Sequence, residues 1–375
     1  MTRAIVSTGL LFALGACELG AQRPTEPALL TLEVGGGAVA IGDINGDRTP
    51  DIVTTARDAV AIHVGDGRGG FRQAPGSPFA AGNNPNDIVL GDFNEDGRLD
   101  IAVANHETSY LSVLLADGKG LSRPFHVAVP SRPHPHGVAT GDFNRDRHLD
   151  LAVESWDENA VLILHGSGKA GFASEPTRLA VGRKPYHKLR AADLNGDGTD
   201  DLVTTNTDGS SVSVLCSDGR GALRPARNIA TASSPFAVAI GDVNGDRHPD
   251  LAVAHRWGAV DPDRDRLTVL LGAGDCAFTA SSESSMNAGS SPTDVAIGDV
   301  DGDGIGDIAV ANMGSDNVSL FLGGRSGFRP AKGSPLPTGQ QPTAIALGDL
   351  NGDGKADIVT GNAGTRNLSV RFSPY

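Results

Sequence analysis

The sequence predicts an all-β fold, a seven-bladed β-propeller whose N-terminal strand closes the last blade. Three observations carry this expectation. The stretch from Gly348 to Val359, GDLNGDGKADIV, has six relatives upstream: GDINGDRTPDIV from Gly42, GDFNEDGRLDIA from Gly91, GDFNRDRHLDLA from Gly141, ADLNGDGTDDLV from Ala192, GDVNGDRHPDLA from Gly241 and GDVDGDGIGDIA from Gly298. Their first aspartates, Asp43, Asp92, Asp142, Asp193, Asp242, Asp299 and Asp349, lie 49, 50, 51, 49, 57 and 50 residues apart, a period that marks a repeat architecture. Between the motifs run short apolar stretches rich in Val, Ile, Thr and Phe, cut by turns that use 50 Gly and 22 Pro, and no amphipathic helical stretch competes. Finally, the last repeat stops one strand short, and a spare strand stands near the other end of the chain.

In chain order, residues 1–16 read as an export signal, with Arg3 followed by an apolar run too short to span a bilayer. Leu14-Gly15-Ala16-Cys17 resembles the bacterial lipobox, which implies a lipid on Cys17. Glu18 is not the aspartate that retains such lipoproteins at the inner membrane, so the resemblance implies the outer membrane of a Gram-negative bacterium. Residues 17–27 are then the lipidated cysteine and a polar, proline-bearing tether, and 28–375 the propeller. Cys216 and Cys276 complete the three cysteines. Two cysteines in neighbouring repeats make no disulfide framework, and the expectation is that they stay unpaired.

Within the second repeat, Ile88 to Leu90 runs into the acidic loop, Leu99 to Ala104 leaves it, Leu111 to Leu115 alternates, and Phe125 to Val129 follows a glycine turn. Four short strands per fifty residues describe one propeller blade. The seventh repeat ends at its third strand, Leu368 to Phe372, and Ala28 to Val34 is the candidate fourth. A ring closed in this way needs no capping repeat.

Counted from its first aspartate, each motif places side-chain oxygens at positions 1, 3, 5 and 9. These are Asp43, Asn45, Asp47 and Asp51 in the first loop, Asp92, Asn94, Asp96 and Asp100 in the second, and Asp142, Asn144, Asp146 and Asp150 in the third. The fourth and fifth offer Asp193, Asn195, Asp197, Asp201 and Asp242, Asn244, Asp246, Asp250; the sixth and seventh offer Asp299, Asp301, Asp303, Asp307 and Asp349, Asn351, Asp353, Asp357. The backbone carbonyl of position 7, Thr49, Arg98, His148, Thr199, His248, Ile305 or Lys355, fills a gap in each loop.

Hard oxygens in this number suit Ca²⁺, which takes about six to eight at roughly 2.3 to 2.6 Å. Carboxylates converging near 4 Å repel by about 4 kcal/mol per pair at an effective dielectric of 20, and a cation relieves that repulsion. An EF-hand is excluded, since the flanks have strand periodicity and position 12 is Thr360, Val310 or Val253 where a bidentate glutamate is required.

The ligand positions hold 22 of the 45 acidic residues, and up to seven calcium ions, one per blade, would balance the formal charge of −14. That charge argues against nucleic acid and against attraction to anionic lipid surfaces, leaving the lipid anchor as the membrane contact. Position 6 favours a left-handed backbone and is Gly97, Gly198, Gly304 or Gly354 in four copies but Arg48, Arg147 and Arg247 in the others. The third loop, with no glycine after Gly141, is expected to bind least well and the sixth, with four carboxylates, most tightly.

These motifs, in units such as GDFNEDGRLDIAVAN followed by LSVLLADGKG and then a proline at Pro133, Pro185, Pro235, Pro292 or Pro342, resemble the FG-GAP and VCBS repeats of integrin α-subunit propellers and bacterial exported proteins. The resemblance implies calcium loops on one face and a binding face opposite. It leaves activity open, because the family serves adhesion, lectin-like binding and lyase scaffolds alike.

On that inferred face, blades two to five carry His106, Tyr110, His134, His136, Trp156, Tyr186, His187, His255 and Trp257, and blade five has a long insertion from Arg256 to Arg266. Arg190 replaces a residue that is Ala or Val in the other first strands. Aromatic and cationic loops suit a sugar ring or an acidic polymer, although each aromatic can equally cap its own blade. His134 and His136 could ligate a transition metal, but no third ligand can be placed.

The first functional expectation is a monomeric, calcium-stabilised module for binding or adhesion to a carbohydrate or protein ligand. The alternative is a polysaccharide lyase or hydrolase using Tyr186, His187 and Arg190. Against it, no Gly-x-Ser-x-Gly elbow and no carboxylate pair outside the metal loops is found. A scaffold within an envelope complex is a third reading, and its sign would be a broad apolar patch.

Overall fold

Seven antiparallel sheets stand around one axis, and six of them are built wholly from strands that follow one another in sequence. The computed structural model describes residues 29–33, 36–106, 108–117, 120–130, 135–256, 266–282 and 286–375. The export signal, Cys17 and the tether read from the sequence lie outside these residues.

Blade two shows why the sequence folds this way. Its strands are Pro85–Gly91, Asp100–Asn105, Tyr110–Leu114 and Phe125–Ala128, paired in that order. The second strand, DIAVAN, is buried along its whole length because each of its faces meets a neighbouring blade. Ile101 and Val103 pack with Val53, Val60 and Ile62 of blade one, whereas Ala102 and Ala104 pack with Val138 and Val153 of blade three. The outermost strand alternates between half-buried and exposed, as a rim strand of period two must. Burying each Val or Ile in these interblade cores stabilises the ring by about 1.5–3 kcal/mol.

First strands open with Pro85, Pro135, Pro185, Pro235, Pro292 and Pro342, at the strand end, where a missing N–H is tolerated. In blade three the opener is therefore Pro135; Pro133 lies outside the described residues.

Closure follows the expected route. Strand Leu29–Glu33 pairs antiparallel with Asn367–Arg371, with Leu29 opposite Arg371 and Glu33 opposite Asn367, and supplies the fourth strand of blade seven. The first and last repeats thereby share one sheet.

One expectation fails. Cys216 and Cys276 form a disulfide. They lie after the third strands of blades four and five, buried in one interblade cluster with Leu194 and Val214. Their Cα atoms are 6.3 Å apart, inside the bonding range of about 4.4–6.8 Å. Ring packing brings together what 60 residues of sequence separate.

The axis is filled by charge. The first strand of blade four, Pro185–Ala192, has eight residues where its counterparts from Pro85 and Pro235 have seven. The register shifts between Pro185 and Leu189, and His187 there takes φ +82°. Lys188 thereby reaches the level of Asp87 in blade two and Asp294 in blade six. Its Nζ lies 3.0 Å from Asp87 Oδ1 and 3.4 Å from Asp294 Oδ2, with all three side chains at most 4% exposed.

Arg190, two residues closer to the acidic loop, stands 3.8 Å from Asp87 and 4.0 Å from Asp294. Beside them Glu154, fully buried, accepts the Gly137 N–H at 2.9 Å and the Thr204 hydroxyl. Burial pushes its carboxyl up to about 7. Two acids and two bases thus tie blades two, four and six across the ring.

Candidate functional site

Every acidic loop joins the first strand of its blade to the second, so all seven lie on one face. The position 1 aspartate organises the loop. In blade seven, Asp349 Oδ1 accepts N–H groups from Gly352 and Asp353 at 2.7 and 3.1 Å, and Oδ2 accepts that of Gly354 at 2.9 Å. The position 6 N–H makes the same bond in all seven copies, at 2.7–2.9 Å.

That geometry needs a left-handed residue at position 6, and Arg48, Arg147 and Arg247 adopt φ +69°, +73° and +70° there. Each costs roughly 1 kcal/mol relative to glycine. In the second loop the Arg98 guanidinium sits 2.7 Å from Asp96.

The position 9 aspartates have a second role that the spacing does not reveal. Asp51, Asp100, Asp150, Asp201, Asp250, Asp307 and Asp357 are buried, and each accepts the N–H of position 2. Each also accepts an N–H from the end of the third strand of its own blade or just beyond it, donated by Gly65, Ala116, Gly166, Ser217, Gly272, Gly323 or Ser373 at 2.6–3.0 Å. These bonds clip the loop to its blade. Burial pushes Asp100, Asp201, Asp250, Asp307 and Asp357 up to about 6, and raises Asp51 and Asp150 too.

The donor set fits a hard dication: positions 1, 3, 5 and 9 offer three carboxylates and an amide oxygen in six copies and four carboxylates in the sixth. In the sixth loop, oxygens of Asp299, Asp301 and Asp307 already lie within 4.8 Å of one another. The third loop departs from this pattern, because the His165 ring sits against its position 3 and position 9 side chains.

The opposite face carries an aromatic pocket of about 300 Å³, lined by His106, His136, Trp156, Tyr186, Thr207, Asp208 and Phe236. First strands begin at this face, and the residue after the opening proline lines the pocket in three successive blades: His136, Tyr186 and Phe236. The rings form a chain, with centroids 4.5 Å apart for His106 and His136, 4.1 Å for His136 and Tyr186, and 5.5 Å for Tyr186 and Phe236. The Lys184 ammonium lies 3.5 Å from the Trp156 ring centroid and braces the indole. Across the Thr207–Gly209 turn lies a polar cleft of about 520 Å³, with Asn159, Arg183, Ser210 and Asn228 in its walls.

Four of the ten candidate ligand residues, His106, His136, Trp156 and Tyr186, are thus brought together. The others are placed elsewhere. Tyr110 packs against His126, with tilted rings and centroids 4.1 Å apart, in the outer part of blade two. His255 is fully buried, with Nε2 2.8 Å from Thr268 Oγ1 and Nδ1 3.1 Å from the Ser233 carbonyl, and burial lowers it to about 4: it is a neutral core residue.

Arg190 belongs to the axial ion cluster. His187 stacks on Phe236, and burial and the Lys188 charge hold it well below its ordinary value. His134, Trp257 and residues 257–265 of the insertion lie outside the described residues. Phe236, Thr207 and Asp208 are not anticipated by the sequence reading; the repeated Pro-aromatic step, Pro185-Tyr186 and Pro235-Phe236, is the signal available for the first.

A family model described as the FG-GAP-like repeat matches residues 43–103, 92–153, 193–253 and 299–360. The chain belongs to the FG-GAP-like repeat family. No curated protein matches it. Among solved structures, this FG-GAP-like chain is similar to a streptogramin B lyase, with 12% identity over 92% of this chain and 97% of that one and a TM-score of 0.58.

It is similar as well to a catalytically inactive virginiamycin B lyase from Staphylococcus aureus, at 13% identity, 92% and 99% coverage and TM-score 0.57. A lectin from Agrocybe aegerita, described as recognising non-reducing terminal N-acetylglucosamine, gives 17% identity, 92% and 86% coverage and TM-score 0.53. At these identities the likeness is one of fold.

Proposed function

We propose that this FG-GAP-like propeller is a calcium-stabilised binding module that takes a carbohydrate chain in its aromatic pocket. The pocket carries the reading: a row of rings offers stacking surface to a sugar, while Asp208, Thr207 and the imidazoles offer hydrogen bonds to its hydroxyls. Its volume sits at the low end of the range of about 300–1,000 Å³ for small-molecule sites. The neighbouring polar cleft supports a chain over a single sugar, since the two share the Thr207–Gly209 turn. Calcium is supported by the hard-oxygen donor set and by the absence of a basic residue at positions 1, 3, 5 and 9 of any loop.

The test is a fluorescence titration of the calcium-loaded chain against a panel of neutral and acidic oligosaccharides, with reducing and unsaturated ends followed in parallel. Saturable quenching without product is expected, weakened about 10-fold or more in Trp156→Ala, as the loss of one stacking partner worth roughly 1.5 kcal/mol requires. Silence across the panel, or binding unchanged in Trp156→Ala, would overturn the reading. Release of new ends would establish an enzyme in its place.

A further inference from the structure

We propose that the polar cleft beside the aromatic pocket is a subsite for the anionic group of an acidic polysaccharide, a uronate carboxylate or a sulfate ester, held by Arg183. The inference rests on the reading of the pocket as a sugar site and names the class of chain that enters it. The cleft lies between the outer parts of blades three and four. Its walls come from the turn ending at Asn159, the link between strands Thr177–Ala180 and Pro185–Ala192, the residues that close the Thr207–Gly209 turn, and strand Arg227–Ala230.

These walls present donors. Asn159 Oδ1 accepts the Lys184 N–H at 2.8 Å, and Asn228 Oδ1 accepts the Ser213 hydroxyl at 2.6 Å. Each amide thus uses its acceptor within the protein and keeps its NH₂ group for the cleft. The Ser211 hydroxyl accepts from Asn206 Nδ2 at 3.0 Å and retains its own proton to give, and Ser210 adds a second hydroxyl. Among the described residues no acidic side chain lines the cleft.

Arg183 supplies the charge. It is exposed, and it forms no ion pair with any described side chain. The cations near it are already matched, Lys184 with Asp157 at 3.5 Å and Arg178 with Glu158. A guanidinium presents paired N–H groups in one plane, which fits a carboxylate or a sulfate through two parallel hydrogen bonds. Set among amide and hydroxyl donors with no acid beside it, this group attracts an anion.

Charge is sorted across the turn. Asp208, exposed on it, lines the pocket and not the cleft, whereas Arg183 lines the cleft and not the pocket. An acidic ring in the pocket would face the Asp208 carboxylate, but a neutral ring can stack there and donate its hydroxyls to it. The acid therefore belongs to another sugar of the same chain, on the far side of the Thr207–Gly209 turn. The ligand so described joins neutral and acidic residues, and a uniformly acidic polymer fits less well.

The experiment titrates the calcium-loaded full chain by calorimetry with paired oligosaccharides. Unsulfated chondroitin and glucuronoxylan are each set beside their carboxyl-reduced forms, and keratan sulfate beside its desulfated form. An acidic member is expected to bind at least 10-fold more tightly than its neutral counterpart at low salt, as one charge-assisted pair requires, with the ratio shrinking as salt is raised. The pair that shows the preference distinguishes carboxylate from sulfate. Arg183→Gln should bring the ratio to about one, and Arg183→Lys should keep only part of it because the fork is lost. Equal melting temperatures of wild type and Arg183→Gln, expected for so exposed a side chain, make the ratio a measure of binding. Trp156→Ala should weaken both members of a pair together. A preference absent from the wild type, or one that survives Arg183→Gln, would overturn the subsite and leave the aromatic pocket as a sugar site. No binding by any member of the three pairs, or binding indifferent to Trp156→Ala, would overturn the pocket reading and this inference with it.

Discussion

Replacing Lys188 by methionine keeps the side-chain volume at the axis and removes the charge that Asp87 and Asp294 face. At 3.0 and 3.4 Å the ammonium attracts each carboxylate by about 5 kcal/mol at an effective dielectric of 20, and most of this offsets the desolvation of the three groups. Breaking a buried pair from one side typically costs about 3–5 kcal/mol. Arg190, at 3.8 and 4.0 Å and only partly buried, still screens the two acids, which places the expected loss near 3 kcal/mol. For a chain of this length that is a fall in Tm of roughly 4 °C. The assay is urea unfolding of wild type and variant at one fixed calcium concentration. Adding Asp87→Asn and Asp294→Asn to the same chain should restore stability to within about 1 kcal/mol, because neutral partners no longer need the cation. A loss below about 1 kcal/mol in the single variant, or a triple variant no better than the single, would refute the view that this cluster is an ion-paired tie.

Two further outcomes are expected. Chelation should lower the melting temperature steeply: six oxygen-only loops at a calcium concentration ten times their dissociation constant contribute about 8 kcal/mol in total, and a melt indifferent to EDTA would remove calcium from the account. Glu154 gives a signature in pH. Its carboxyl is raised from 4.5 to about 7 by burial, so between those values the unfolded chain releases a proton that the fold retains, and stability falls as pH rises through this window. In Glu154→Gln the carbonyl can accept the Gly137 N–H while the amide donates to Thr204. The variant should therefore match wild type near pH 4.5 and exceed it by about 3 kcal/mol above pH 7, and parallel stability curves would contradict the assignment.

The ring was legible because it is written seven times. A spacing near fifty, four strand-like runs per period and one strand displaced to the N-terminal side leave few other closed arrangements. What stayed hidden depends on the angle at which neighbouring blades meet. Cys216 directly follows the third strand of blade four and Cys276 lies in the turn after that of blade five, so nothing in the repeat register pairs them and only ring packing brings them together. Lys188 looks like one more residue of Pro185–Ala192 until the local register shift carries it to the axis. The position 9 aspartates were expected from the sequence as metal donors, and their role as clips was hidden because their N–H partners stand at the end of the third strand, some fifteen to twenty residues on. For the pocket, the histidines and aromatics were visible as types, yet strand direction sorts them: Tyr186 and His136 follow opening prolines and reach the face, whereas His255 ends a second strand and turns into the core.

The strand Leu29–Glu33 belongs to blade seven although it precedes blade one, and this sets an order of events. Its partner, Asn367–Arg371, leaves the ribosome after roughly 340 further residues, which at about 5–20 residues per second is a wait of tens of seconds. Blades two to six can assemble from local hairpins during that interval, but the latch between the two ends cannot. Until it shuts, the outer edge of blade seven offers unpaired backbone to any passing strand, so the slowest and most aggregation-exposed moment in the life of the molecule is its last.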